Sequence, residues 1–179
     1  MERPGLIRAE RDTDRAAVHA LNAAAFPTPL EADLVDALRR EAHPLVSLVA
    51  ERDGTVVGHI LFSPVTHENS PGLRIMGLAP MAVAPDHQRS GIGSALVRAG
   101  LDECRQLGCA AVVVLGHPEY YPRFGFSPSV RWGIRSEYDV PDEVFMALEL
   151  VPGALHGAAG TVRYHPAFGA VSELSLIHI

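Results

Sequence analysis

Residues 75–115 constrain the fold of this chain more than any other stretch, because an apolar run, a polar glycine turn, a helical pattern and a second apolar run follow in immediate succession. Ile75 to Val83 reads as a strand. Pro85 ends it, having no amide hydrogen to give to a ladder. A helix is predicted from about Ile92 to Leu107. Ser94, Arg98, Asp102 and Arg105 form its polar stripe, and Leu96, Val97, Gly100, Leu101, Cys104 and Leu107 face inward. Gly108 stops the helix. Ala110 to Leu115 is continuously apolar, as in a strand covered on both faces. Strand, helix, strand in this order is a crossover unit, so the two strands are expected to be parallel and the connection right-handed.

The turn inside this unit reads Gln88-Arg89-Ser90-Gly91-Ile92-Gly93-Ser94. Glycine lets the main chain come close to a ligand, and the first N–H groups of a helix have no partner within it. Together with the helix dipole and the Arg89 guanidinium they suit an anion; a plain tight turn is the other reading. Spacing excludes two phosphate motifs. The dinucleotide fingerprint needs a third glycine where Leu96 stands, and the P-loop needs a Gly-Lys pair that is absent.

The flanking segments supply the rest of a layered domain. Leu6 to Ala9 is a strand candidate, and Asp12-Thr13 can cap an alanine-rich helix that ends at Phe26-Pro27. Thr28, Pro29 and Glu31 open a second helix, with Pro29 at its first position and Leu30, Leu34, Val35 and Leu38 on its buried side. Leu45 to Glu51 and Thr55 to Phe62 flank Asp53-Gly54, a strong hairpin signal. His59 falls in the second of these runs, where it is either a sheet residue or a base. Thr66 to Gly72 is polar loop, Ser127 to Val140 is irregular, and Phe145 to Val151 and Thr161 to Tyr164 are the last two strands. The expected fold is α+β: a mainly antiparallel twisted sheet with one parallel crossover and helices on both faces. One domain spans residues 1–173. Residues 174–179, Leu-Ser-Leu-Ile-His-Ile, look like translated sequencing adapter and are set aside.

Composition bounds the partners. With 21 acidic against 15 basic residues in 179, and a formal charge of −6, the chain does not read as a nucleic-acid binder. No apolar stretch reaches the roughly 18 residues of a membrane span. Cys104 and Cys109 read as two reduced thiols of a cytoplasmic protein rather than a disulfide or a metal site. The chain is expected to act as a monomer or homodimer.

Gln88 to Gly93 resembles the pyrophosphate loop of the GNAT family of acyl-CoA-dependent N-acetyltransferases. Tyr120-Tyr121-Pro122-Arg123-Phe124-Gly125-Phe126 is similar to a second segment of that family, in the expected order. The resemblance implies the GNAT fold and acetyl-CoA as donor substrate. It assigns the pyrophosphate to Gln88, Arg89, Ser90, Gly91, Ile92, Gly93 and Ser94, and the pantetheine arm to the backbone of Met81, Ala82 and Val83. Pro80 has no N–H, so Met81 and Val83 are the candidates to face the thioester oxygen. Tyr121 stands where many members carry the tyrosine that protonates the leaving thiolate. The acceptor implied is a small-molecule or protein amine. No ionisable side chain lies in Leu78 to Val83, which leaves the base open among His67, Glu68, His117 and Glu119. A binding or sensing module without catalysis is the other class of function.

Overall fold

The computed structural model describes residues 5–171, so the 174–179 segment lies outside the described residues. The crossover forms as expected: β4 (Ile75–Val83) leads through the turn into α3 (Ile92–Gln106) and on to β5 (Ala111–Leu115), which pairs parallel to β4. Before it lie β1 (Leu6–Ala9), α1 (Arg15–Ala25), α2 (Leu30–Glu41), β2 (Val46–Arg52) and β3 (Thr55–His67). After it come β6 (Ser127–Pro128), β7 (Ile134–Ser136), β8 (Phe145–Glu149) and β9 (Gly160–Arg163). The main path of the sheet runs β1-β2-β3-β4-β5-β8-β6, with β9 joining the end of β3.

Asp53 and Gly54 both adopt positive φ, 52° and 78°, and this is the turn geometry that closes a tight hairpin between β2 and β3. β3 does not stop at Phe62. It runs 13 residues to His67, because Val65 still pairs with Ile75 of β4 and Thr66 and His67 pair with β9. The stretch read as irregular contains β6, which joins β8, and β7, which pairs parallel to β9 and adds a second parallel pair. α2 starts one residue later than read: Pro29 is its N-cap, and the Leu30 N–H donates to Thr28 Oγ1 at 3.3 Å.

Strand alternation divides the sheet into two faces. On one lies α3, held close by Gly100, where a Cβ would fall 2.1 Å from Cε2 of Phe62. On the other lie α1 and α2, and here Asn22 of α1 meets His59 of β3 at 3.2 Å. Helices therefore cover both faces, and Phe62, Leu96, Val97, Val113 and Val114 are buried between them.

Candidate active site

β4 and β5 part company after three pairs. Ile75, Met76 and Gly77 face Ala111, Val112 and Val113; from Leu78 onward β4 pairs only with β3. The unpaired edge is thus a strand edge inside the sheet, with backbone groups available to an extended ligand. Which groups turn toward it follows from one hydrogen bond, Ala84 N–H to Val57 C=O at 2.8 Å. Alternation then aims Ala82 at β3, where His59 is its partner, and aims Met81 and Val83 into the opening. Ala82 therefore offers no backbone group to a ligand there, whereas Met81 and Val83 each offer an N–H and a C=O. The Val83 carbonyl already accepts from Gln88 Nε2 at 3.2 Å.

The opening leads to a cavity of about 400 Å³ at the N-terminus of α3, lined by Gln88, Arg89, Gly91, Gly93 and Ser94 with Val83 and His87. Gly91 caps the helix at φ 85°, a left-handed conformation in which a β-branched side chain is strained. Arg89 also has positive φ, 63°. The two left-handed residues fold the chain back so that the first-turn N–H groups of α3, with no partner inside the helix, face the cavity. The Ser90 hydroxyl is spent on His87 C=O, and Ile92 is fully buried, so both can reach a ligand only through their backbone.

Two lining residues escaped the sequence reading. Tyr120 places its hydroxyl 3.0 Å from Ser94 Oγ, and a Cβ on Gly93 would sit 3.4 Å from it. Arg123 lays its guanidinium over the Tyr120 ring, 4.4 Å from the centroid, and donates from Nε to Tyr120 C=O at 2.8 Å. Both lie in the Tyr-Tyr-Pro-Arg-Phe-Gly-Phe segment, so the signal was present, but only the fold shows that its first tyrosine and its arginine face the α3 N-terminus.

Tyr121 is placed differently. It is fully buried, its ring edge-on to Tyr120 at 5.1 Å and to Phe126 at 5.7 Å, and it fills the space beside Gly116 just past β5. Burial pushes its phenol well above the ordinary tyrosine range, and the neighbouring Tyr120 adds to the shift, so Tyr121 stays protonated at any physiological pH.

The candidate bases are held in different ways. His59 is fully buried and both ring nitrogens are used: Nε2 donates to Ser47 Oγ at 2.9 Å, and Nδ1 accepts from Asn22 Nδ2 at 3.2 Å. Ser47 in turn donates to Glu10, which Arg39 holds at 2.7 Å. Desolvation, reinforced by the Arg39 charge, lowers the His59 pKa to about 3 and leaves it a neutral structural residue. His67 is tied to Ala158 C=O and to Asn69 N–H, and Glu68 to Thr161 N–H, so the polar loop anchors β9 instead of reaching the opening. His117 and Glu119 are exposed. Cys104 and Cys109 are buried free thiols, both pushed up by desolvation.

The profile of the Acetyltransferase (GNAT) family matches residues 15–126, a span containing the opening, the turn and the aromatic segment. The chain belongs to the GNAT acetyltransferase family. It is 37% identical over 164 residues to the uncharacterized N-acetyltransferase YhbS of Escherichia coli, covering 91% of this chain and 98% of YhbS. The crystal structure of YhbS with CoA superposes with a TM-score of 0.89 at 35% identity, covering 97% of this chain and 95% of that one. A GNAT acetyltransferase of Brucella melitensis, solved with acetyl-CoA, gives 0.75 at 37% identity over 91% of this chain and 97% of its own. Among the described residues no helix is long and apolar enough to cross a membrane.

Proposed function

We propose that this GNAT chain transfers an acetyl group from acetyl-CoA to a primary amine by direct attack. The observation that carries the proposal is the parted strand pair: Met81 and Val83 turn their backbone into an opening that runs on to the α3 N-terminus. The pantetheine arm takes the place of the missing strand neighbour along β4. The pyrophosphate rests on the first-turn N–H groups from Gly91 to Ser94, with Gln88 and Arg89 beside it. CoA and acetyl-CoA in two relatives at 35% and 37% identity support the choice of donor.

In the reaction the neutral amine nitrogen bonds to the thioester carbon. The oxyanion that forms is met by a backbone N–H of the opening, Met81 or Val83. The ammonium of the tetrahedral intermediate loses its proton to solvent, collapse breaks the C–S bond, the thiolate takes the proton of Tyr121, and solvent returns a proton to the Tyr121 phenolate. The acid role falls to Tyr121 because it packs beside the outgoing end of β5, the other arm of the opening, whereas the Tyr120 hydroxyl belongs to the pyrophosphate end. The shift keeps Tyr121 in the protonated form from which an acid must start.

The test pairs two measurements: calorimetric titration with acetyl-CoA, and thiol release from acetyl-CoA with a broad panel of primary amines. Binding together with amine-dependent release is expected. Binding without release by any amine would make the chain a sensing module, and no binding would remove the donor assignment.

A further inference from the structure

The turn before α3 forms only part of the donor cavity. The rest comes from Tyr120 and from Arg123 of the single helical turn Tyr121–Phe124. Two contacts fasten this second wall to α3. The Tyr120 hydroxyl lies 3.0 Å from Ser94 Oγ, and Arg98, one helical turn further along α3, lays its guanidinium over the Phe124 ring, 5.0 Å from the centroid. Gly125, at φ 102°, then turns the chain away. Arg123 is exposed, yet the segment that carries it is fixed against the N-terminal turns of α3.

The Arg123 side chain is itself held. Nε donates to the Tyr120 carbonyl at 2.8 Å, and the guanidinium carbon lies over the Tyr120 ring, 4.4 Å from the centroid. These contacts leave the fork end of the guanidinium over. Among the described residues neither Nη1 nor Nη2 has a hydrogen-bond or ion-pair partner. A surface arginine ordinarily loses rotamer freedom when it closes on a ligand. Here that freedom is lost beforehand, so an anion that meets the fork does not have to order it.

The charge of the lining is one-sided. It contains Arg89 and Arg123 and no carboxylate, and Arg52 Nη1 donates to Nδ1 of the lining His87 at 3.1 Å, which brings a third guanidinium behind the wall. In a chain whose formal net charge is −6, this is a local excess of positive charge. The N–H groups of the first turn of α3 add to it. A guanidinium fork also has the right shape: its paired N–H groups match two oxygens of one phosphate, which an ammonium cannot do.

We propose that Arg123 is a specificity residue for the donor, its two Nη groups taking a phosphate of the coenzyme from the wall that Tyr120 fastens to α3. The assignment rests on the acetyl-CoA reading above. It divides recognition of the donor into two kinds. The α3 cradle is backbone and follows from the strand-turn-helix path, whereas Arg123 is a side chain that makes affinity depend on the nucleotide end of the coenzyme as well as on its thioester arm. Coenzyme A offers phosphate oxygens in two places, the pyrophosphate and the 3′-phosphate of the ribose, and the chemistry of the fork is the same for both.

The test compares the wild type with Arg123→Gln, which keeps a polar side chain but removes the charge and the fork. Because Arg123 is exposed, the variant is expected to fold with an unchanged Tm. The probes are CoA, 3′-dephospho-CoA and pantetheine, titrated by calorimetry or, for the weakest binder, by backbone amide shifts. Arg123→Gln is expected to bind CoA about tenfold more weakly, the worth of a charge-assisted hydrogen bond discounted for exposure, and to bind pantetheine as the wild type does. A loss that vanishes with 3′-dephospho-CoA supports the proposal and places the fork on the 3′-phosphate. A loss that persists with 3′-dephospho-CoA supports it equally and places the fork on the pyrophosphate. CoA affinity within twofold of wild type, or an equal loss with pantetheine, overturns the assignment while the donor reading stands. Failure of the donor reading shows differently, since the wild-type protein then binds none of the three probes.

Discussion

Lowering the pH from 6.5 to 4.5 should destabilise this protein through His59 alone by about 2 kcal/mol. In the folded chain His59 is fully buried, with its proton on Nε2, and its pKa is lowered from 6.5 to about 3. In the unfolded chain it titrates normally. Its folded pKa lies below its unfolded one, so the unfolded state binds the extra proton and stability falls as the pH drops through 6.5. One pKa unit corresponds to about 1.4 kcal/mol, and between pH 6.5 and 4.5 a group of this kind contributes about 1.7 such units. The loss continues toward pH 3, where the folded state protonates as well. Against a total stability of about 5–15 kcal/mol this is measurable. The assay is urea denaturation at pH 6.5, 5.5 and 4.5 for the wild type and for His59→Gln, which cannot take up the proton. The variant is less stable throughout, because Ser47 and Asn22 lose a matched partner, but its pH slope in this window should be shallower by about one proton. Equal slopes would mean that His59 already carries a proton in the fold, and the hydrogen-bond assignment from Glu10 to Asn22 would be wrong.

Three further outcomes are expected. Gly100→Ala puts a Cβ 2.1 Å from the Phe62 ring and should cost about 1–3 kcal/mol by overpacking, read as a fall in Tm with acetyl-CoA affinity per folded molecule unchanged. Gly91→Val, strained at φ 85°, and Gly93→Val, crowded by Tyr120, should each weaken acetyl-CoA binding at least tenfold by calorimetry, while Arg89→Ala loses less because the backbone cradle remains. Tyr121→Phe keeps the buried ring and removes the acid, so kcat should fall by about 10² to 10⁴ while donor affinity is nearly unchanged; a kcat within twofold of wild type would make Tyr121 a packing residue.

The strand-turn-helix arrangement that frames the candidate donor site was legible because its information is local. Gln88 to Ser94 makes its turn with its own residues, and Pro85, Gly91 and the helical period from Ile92 all point to one strand-turn-helix arrangement. The Asp53-Gly54 hairpin was legible for the same reason. What escaped depends on pairings distant in sequence. β3 continues past Phe62 only because β9, about a hundred residues on, is there to pair with Thr66 and His67. β7 finds β9 in parallel across more than twenty residues of intervening chain. His59 looked like an ordinary strand position, and the polar chain that occupies it is drawn from Arg39 of α2, Glu10 just past β1 and Ser47 of β2. Tyr120 and Tyr121 are adjacent in sequence, and nothing local says which one faces the α3 N-terminus and which one the core.

The same distinction bears on how tolerant the proposed donor site would be to substitution. The groups proposed to meet the donor are backbone groups of Met81 and Val83 and of the α3 first turn, so their geometry is fixed by strand alternation and a helix end and depends little on side chains. Side-chain changes at Met81, which lies on the Gly93 side of the turn, therefore alter packing there without altering what the strand edge presents.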